Sequence, residues 1–330
     1  FLVLRPEVIE QLFDLVDETS MIISSELKMS YLHAMCESCQ NIMSQEINQS
    51  INEESKKALQ THYATLEGLE FTQEEIRKAL QLAILKGLKS ERLTNAIMTP
   101  DSIALILGYL ISKFVKNFNE VRLGDLTVGT GNLLTAVLNH LGTEPQEIYG
   151  VEVNHDLLKI ACTLSDMQEY AVQFYQQSSL KPLFIDPLDL IIGDLPEGDL
   201  SQEEMNELGL TLAAQGINYL PYLLIENHLN YLKPGGYAFY VIPNDLFSQP
   251  QSHAFHQLLT SKANIQALLQ LPTTLFKQDE LGKSLFIVQK NGEQVKPVNE
   301  VLIAQLPNFN DPHQFNKMLT RIENWIKLNK

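Results

Sequence analysis

Asp194 ends an apolar run, LIIGD (190–194), and Leu195-Pro196-Glu197 follows it. An acid at the end of a buried strand that opens into a loop is the layout of an active-site loop. Glu197 and Asp199 then stand where a substrate-gripping group is expected. A second set lies upstream. Asp125-Leu-Thr-Val-Gly129-Thr-Gly131-Asn132 follows a strand-like run and opens a helical pattern. Glycines at such a turn permit unusual dihedrals and a close backbone approach to a ligand. Glu152 closes the next strand-like run about 20 residues after Gly131, where an acid can accept both hydroxyls of a ribose.

These residues select among nucleoside cofactors. A dinucleotide fingerprint wants a third glycine where Leu134 stands. Asp125, four residues before the first glycine, would repel a pyrophosphate and suits a cationic ligand with an amino group. S-adenosylmethionine offers a sulfonium, an α-amino group and a ribose diol, and it carries no phosphate. NAD fits less well.

The elements that must position these residues show in the texture of the chain. Residues 1–92 read as a helical N-terminal domain, with Val8, Ile9, Leu12, Phe13, Leu15 and Val16 at helical spacing. Thr72-Gln73-Glu74-Glu75 has the pattern of a capping box. From residue 93 to 330, strand-like runs alternate with helical segments. The runs cover 121–128, 147–153, 188–194, 236–243, 265–272 and 283–290, with a weaker one at 172–177. This predicts a doubly wound, mostly parallel α/β sheet of seven strands, with an antiparallel pair at its edge. Lys233-Pro-Gly-Gly236 reads as a turn before a strand, and PHQFNKMLTRIENWIKLNK as a final amphipathic helix.

Composition sets further bounds. The chain has 330 residues, 45% hydrophobic and 19% charged, an ordinary globular profile. Its apolar runs are too short for a membrane span. Its first residues lack the features of a secretory signal, and they begin without Met, as expected of a sequence that starts inside a longer chain. A net charge of −16 disfavours tight, unaided binding to phosphate backbones. Three cysteines fit a reducing cytoplasm rather than a disulfide framework. Cys36-Glu-Ser-Cys39 lacks the second pair of a structural zinc site, so core packing is expected. His253 and His256 have no nearby carboxylate cluster, and no metal site is expected.

Five stretches together resemble the N6-adenine-specific DNA methyltransferases, especially the modification subunits of type I restriction systems and small stand-alone relatives. NAIMTPDSIALIL (95–107) is similar to the segment before the glycine strand, and DLTVGTGNLL (125–134) to the cofactor motif. YGVEVNHDLLKIA (149–161) resembles the ribose-binding segment. LKPGGYAFYVIPNDLF (232–247) and LPTTLFKQDELGKSLFIVQK (271–290) resemble later sheet segments. The resemblance implies S-adenosylmethionine binding, with Thr99 and Pro100 near the methionine moiety. Asp125, Thr127, Gly129, Gly131 and Asn132 would form the cofactor loop, and Glu152 with Val153 the ribose end. Ser178 and Ser179 would lie where the family often has an acid for the adenine amine.

The resemblance also gives LIIGDLPEGD a role. An exocyclic adenine amine is a poor nucleophile, because its lone pair is delocalised into the ring. Acceptors on its two hydrogens help that pair localise. The family supplies one side-chain acceptor and one backbone carbonyl from Asp/Asn-Pro-Pro-Tyr/Phe, whose final aromatic stacks on the flipped base. Here Asp194 matches the first acceptor, the Leu195 carbonyl the second, and Pro196 the second proline. Glu197 replaces the aromatic, a loss of about 1–3 kcal/mol of stacking per base. Three readings follow. One is a methyltransferase of the N6-adenine type acting on DNA or another amine-bearing nucleic acid, with DNA held weakly or through a partner subunit. The second is a cofactor-binding protein without catalysis that meets protein partners through its acidic surface or N-terminal helices. The third is a methyltransferase with a different substrate, cationic or protein.

Overall fold

The computed structural model describes residues 4–91, 98–276 and 282–330. Four helices come first: α1 (Pro6–Leu27), α2 (Tyr31–Ser44), α3 (Glu53–Ala64) and α4 (Gln73–Ser90). Then follow α5 (Asp101–Phe114), β1 (Arg122–Asp125), α6 (Asn132–Leu141), β2 (Glu147–Glu152), α7 (His155–Met167), β3 (Val172–Gln176) and β4 (Leu188–Asp194). Two one-turn helices, α8 (Gln202–Asn206) and α9 (Thr211–Ala214), precede α10 (Leu220–Tyr231). The chain finishes with β5 (Leu232–Pro243), α11 (Ser252–Lys262), β6 (Ala263–Gln270), β7 (Lys283–Lys290), β8 (Leu302–Gln305) and α12 (Pro312–Asn329).

The chain divides into two compact units. The first comprises Phe1–Thr99, Gly129–Asn139 and Asn154–Val172. Its core joins Leu12, Leu15 and Val16 of α1, Met35 of α2, and Leu80 and Ile84 of α4 to Ile160, Leu164 and Met167 of α7. The apolar spacing seen in the sequence of α1 is thus a buried stripe. Cys36 and Cys39 pack in the same core. The start of α4 is fixed by the expected capping box. Glu75 N donates to Thr72 Oγ1 at 3.2 Å, and Thr72 N donates to Glu75 Oε2 at 3.0 Å. The domain boundary expected at 92–93 lies outside the described residues.

The second unit comprises Pro100–Val128, His140–Val153 and Gln173–Lys330, and it carries an eight-stranded sheet in the order β3-β2-β1-β4-β5-β7-β6-β8. β1 pairs parallel with β2 and β4, and β4 parallel with β5. Strand order runs outward from β1 in both directions, the doubly wound arrangement. The change of direction at β1 and β4 is a switch point, where ligands of open α/β sheets bind beyond the carboxyl ends.

Three features differ from the sequence expectation. An eighth strand, β8, pairs parallel with β6. The antiparallel strand β7 lies between β5 and β6, inside the sheet rather than at its edge. Lys233-Pro-Gly-Gly236 is part of β5: its register with β4 jumps from Leu188–Leu232 to Leu190–Tyr237, and Gly235 takes a φ of +82° within that irregular start. The final amphipathic helix forms as expected, with Ile322 and Trp325 buried. Among the described residues no helix is long and apolar enough to cross a membrane.

Candidate active site

In the second unit, the carboxyl ends of three adjacent parallel strands bring acids together. Asp125 ends β1, Glu152 ends β2 and Asp194 ends β4. Register places Asp125 opposite Gly150 of β2 and Ile192 of β4. Asp125 is 1% exposed, and its Oδ1 accepts the Thr127 backbone N–H at 3.1 Å. Burial pushes its carboxyl up to about 8. The Thr127 hydrogen bond opposes this, and the Glu152 and Asp194 charges add to it. Such a group waits for a positive charge. Glu152 is half-buried, and Val153 beyond it is 65% exposed.

Thr127 also reaches the second loop. Its hydroxyl donates to the Asp194 carbonyl at 3.3 Å. Gly193 makes that contact feasible: a Cβ there would stand 2.9 Å from Thr127 Oγ1. The Asp194 side chain accepts from Lys283 Nζ at 2.7 Å, and each side chain keeps 16% of its surface exposed. Leu195 is buried and its N–H donates to the Val241 carbonyl at 3.0 Å. The chain then emerges. Pro196, Glu197, Gly198 and Asp199 are exposed. The loop is tied down where Leu220 N donates to the Gly198 carbonyl and Leu200 N to the Asn218 carbonyl. The Glu197 carboxyl is held above its ordinary range by partial desolvation. Asp245 and Asp194 reinforce this, while Lys283 opposes it. Tyr219 feels the charges of Asp245, Glu197 and Asp199, but its ring is 9% exposed and packs edge-on against Tyr222 at 4.9 Å. It is a packing residue here.

Ser178 and Ser179 follow β3. Ser178 Oγ accepts from Leu180 N at 3.3 Å. Ser179 is buried and its hydroxyl lies 3.2 Å from His228 Nε2, whose Nδ1 lies 3.1 Å from the Tyr240 hydroxyl. Burial lowers His228 to about 3, so the imidazole is neutral. Asn227 Nδ2 donates to the Ser179 carbonyl at 2.6 Å. Pro100 opens α5, its carbonyl accepting from Ile103 and Ala104 N–H.

The first unit holds the glycine loop and Thr99. Gly129 and Gly131 have φ of +56° and +79°, which favour glycine. A Cβ on Gly131 would meet Ala161 Cα at 3.2 Å. Asn132 is 1% exposed; its Nδ2 donates to the Thr99 carbonyl at 3.2 Å, and its Oδ1 accepts from Arg77 at 2.9 Å. Arg77, on α4, is itself buried and paired with Glu74. Arg77, Lys283 and His228 are the polar partners that sequence reasoning missed. Each lies 49 to 89 residues from the site residue it holds.

Each part fits S-adenosylmethionine. A desolvated carboxyl suits its cationic end, the loop dihedrals require glycine, and a strand-end acid suits a ribose diol. Among the described residues no group of three or more His, Cys, Asp or Glu is placed to hold a metal ion.

Comparison with known proteins gives the same assignment. The N-6 DNA Methylase family model matches residues 90–326, and the YtxK N-terminal helical domain model matches residues 10–88. The chain belongs to the N-6 DNA methylase family. It is 36% identical over 321 residues to the uncharacterized protein YtxK of Bacillus subtilis, covering 96% of this chain and 97% of that one. A crystal structure of a candidate class I S-adenosylmethionine-dependent methyltransferase of Listeria monocytogenes (lmo1582) is 35% identical. It superposes with a TM-score of 0.89, covering 98% of this chain and all of that one. The modification subunit of a type I restriction enzyme candidate from Vibrio vulnificus shares the fold at 16% identity and a TM-score of 0.67. That match covers 86% of this chain and 64% of that one. The N-6 DNA methylase family member described here therefore has the mixed α/β methyltransferase fold, preceded by an N-terminal helical domain, and S-adenosylmethionine is the cofactor the fold implies.

Proposed function

We propose that this family member, with a helical domain over 1–92 and a methyltransferase domain over 93–330, transfers a methyl group to an exocyclic amine, with adenine in DNA as substrate. The observation that carries the reading is the coupling of the two strand-end loops. Thr127, two residues from the cofactor-loop acid, bonds the backbone of Asp194, the acceptor acid. S-adenosylmethionine supplies an electrophilic methyl on a sulfonium. Asp125 would meet its amino group, Glu152 its ribose hydroxyls, and Ser178 or Ser179 its adenine. Thr99, Pro100, Gly129, Gly131, Asn132 and Val153 would line its path.

Asp194 would accept one amine N–H and the Leu195 carbonyl the other, with Pro196 stiffening the turn. This localises the nitrogen lone pair for in-line attack. When bound, S-adenosylmethionine would supply the methyl group, its carbon–sulfur bond breaking to leave a neutral thioether as the nitrogen–carbon bond formed, and the amine would give up one proton to solvent. The acidic surface makes a partner subunit the source of DNA affinity, and the cytoplasm is the expected location.

A second reading is a cofactor-binding protein that works through protein contacts. The exposed Glu197 favours it, since a carboxylate has no face on which a base can stack. Calorimetry with S-adenosylmethionine tests the shared premise, with Asp125→Ala expected to abolish binding. Radiolabelled transfer to unmethylated DNA, RNA and cell lysate then separates the readings. Label in DNA that disappears in Asp194→Ala supports adenine methylation. Label in protein alone would replace DNA with a protein substrate, and label nowhere would favour the second reading.

A further inference from the structure

We propose that Lys283 is a positioning residue that sets substrate class: it holds the Asp194 carboxylate and cancels its charge, so the acceptor side takes an uncharged amine and rejects a cationic one. The inference rests on the reading of Asp194 as the amine acceptor. Its ground is geometric. Lys283 opens β7 opposite Pro243 of β5, and Asp194 closes β4 opposite Val241 of β5. The lysine side chain therefore crosses the end of β5 to reach an acid two strands away, and it arrives at 2.7 Å. Both side chains are largely withdrawn from water, so the pair is screened far less than a surface pair. The surroundings are acidic: Glu197 interacts with Asp245 and Asp194 as well as with Lys283. Among the described residues, Lys283 is a positive charge that acts on this group.

A carboxylate offers about four acceptor positions, more than one ammonium donor occupies. On this proposal the paired carboxylate receives the N–H of a ring amine or a carboxamide. A protonated alkylamine would bring a second ammonium to the same oxygens. It also lacks a lone pair until it loses a proton. The resulting substrate class is a neutral, delocalised nitrogen, as in adenine, rather than a lysine side chain or polyamine.

The test reads charge at the acceptor side without needing turnover. Sinefungin carries a protonated amine on the carbon that replaces the cofactor sulfur, whereas S-adenosylhomocysteine is neutral at that point. Both are titrated by calorimetry into the full chain, and the ratio of their dissociation constants is the readout. The wild type is expected to bind the two within about threefold. Lys283→Met and Lys283→Gln are each expected to shift the ratio toward sinefungin by about tenfold or more. Lys283→Arg should keep the wild-type ratio, and adding Asp194→Asn to Lys283→Met should erase the gain. Binding of S-adenosylhomocysteine by each variant reports a folded cofactor side.

An unchanged ratio in the Met and Gln variants, with S-adenosylhomocysteine still bound, overturns the proposal alone. So does a wild type that already prefers sinefungin tenfold, or a gain that survives Asp194→Asn. A wild type that binds neither ligand overturns the cofactor reading and the proposal with it. The predicted ratios without methyl transfer to any amine would fault the catalytic reading and leave the charge pairing standing.

Discussion

The glycine loop (129–132) and the acceptor loop (194–199) both leave a parallel strand at its carboxyl end, yet they are held in different ways. The glycine loop is fixed from within. A Cβ on Gly131 would press on Ala161 at 3.2 Å, and Asn132 is gripped by a buried arginine and by the Thr99 carbonyl. The acceptor loop is fixed at its root by Leu195, Thr127 and Lys283, then runs exposed through Pro196–Asp199 and is tied down there by backbone bonds at Gly198 and Leu200. A loop built of buried polar contacts tolerates little change, because each lost partner leaves another group unsatisfied. An exposed loop can exchange side chains at small cost to stability. On the proposed reading, substrate choice is therefore freest to vary at 196–199, where this chain carries Glu197.

That contrast can be broken at its strongest point first. Arg77→Met removes the guanidinium between Glu74 and Asn132 and leaves both without it. Breaking a buried pair from one side costs about 3–5 kcal/mol. Urea unfolding should show a loss of that order, with cofactor affinity falling as well. A change below about 1 kcal/mol would mean that the loop is held by backbone geometry alone.

Asp125 gives an intermediate effect. Its carboxyl, raised to about 8 in the free protein, is mostly protonated at neutral pH. A cationic ligand favours the ionised form. Binding below pH 8 must then release a proton, and affinity should rise with pH by up to about tenfold per unit before levelling off above 8. Calorimetry in buffers of different ionisation heat measures the proton released. The Asp125→Asn variant should show no such release from this site. A flat affinity between pH 6 and 8 in the wild type would show that the acid is already ionised.

The smallest effect is expected on the exposed loop. Glu197→Tyr should change stability by no more than about 0.5 kcal/mol, as surface substitutions do. Affinity for an adenine-containing single strand should rise by up to about 1–3 kcal/mol if the ring finds a base face. Thermal unfolding and fluorescence anisotropy measure the two. A destabilisation as large as that of Arg77→Met would erase the distinction between the loops.

The sequence made these loops visible in unequal measure. Strand periodicity, the glycine pattern and the acids at strand ends are local, and so is the Thr72 capping box; each was legible. β8 was not: LIAQ is four residues long and half exposed, too short for its alternation to stand out. The place of β7 was hidden because order within a sheet depends on which edges remain unpaired, not on chain proximity. Lys233-Pro-Gly-Gly236 has turn chemistry, but pairing with β4 absorbs it into β5. Arg77, His228 and Lys283 were invisible for a shared reason. A charged or polar residue reads as surface until the fold supplies a distant partner.

The Lys283–Asp194 pair also has a consequence in time. Asp194 leaves the ribosome 89 residues before its lysine does. At a synthesis rate of about 5–20 residues per second, the acid waits about 4 to 18 seconds for that partner. Even then β7 must insert beside β5 before the side chain can cross to it. The charge balance of the acceptor loop is thus a property of the finished sheet. A growing chain can hold every strand of the cofactor side and still present Asp194 as an anion that Lys283 has not yet reached.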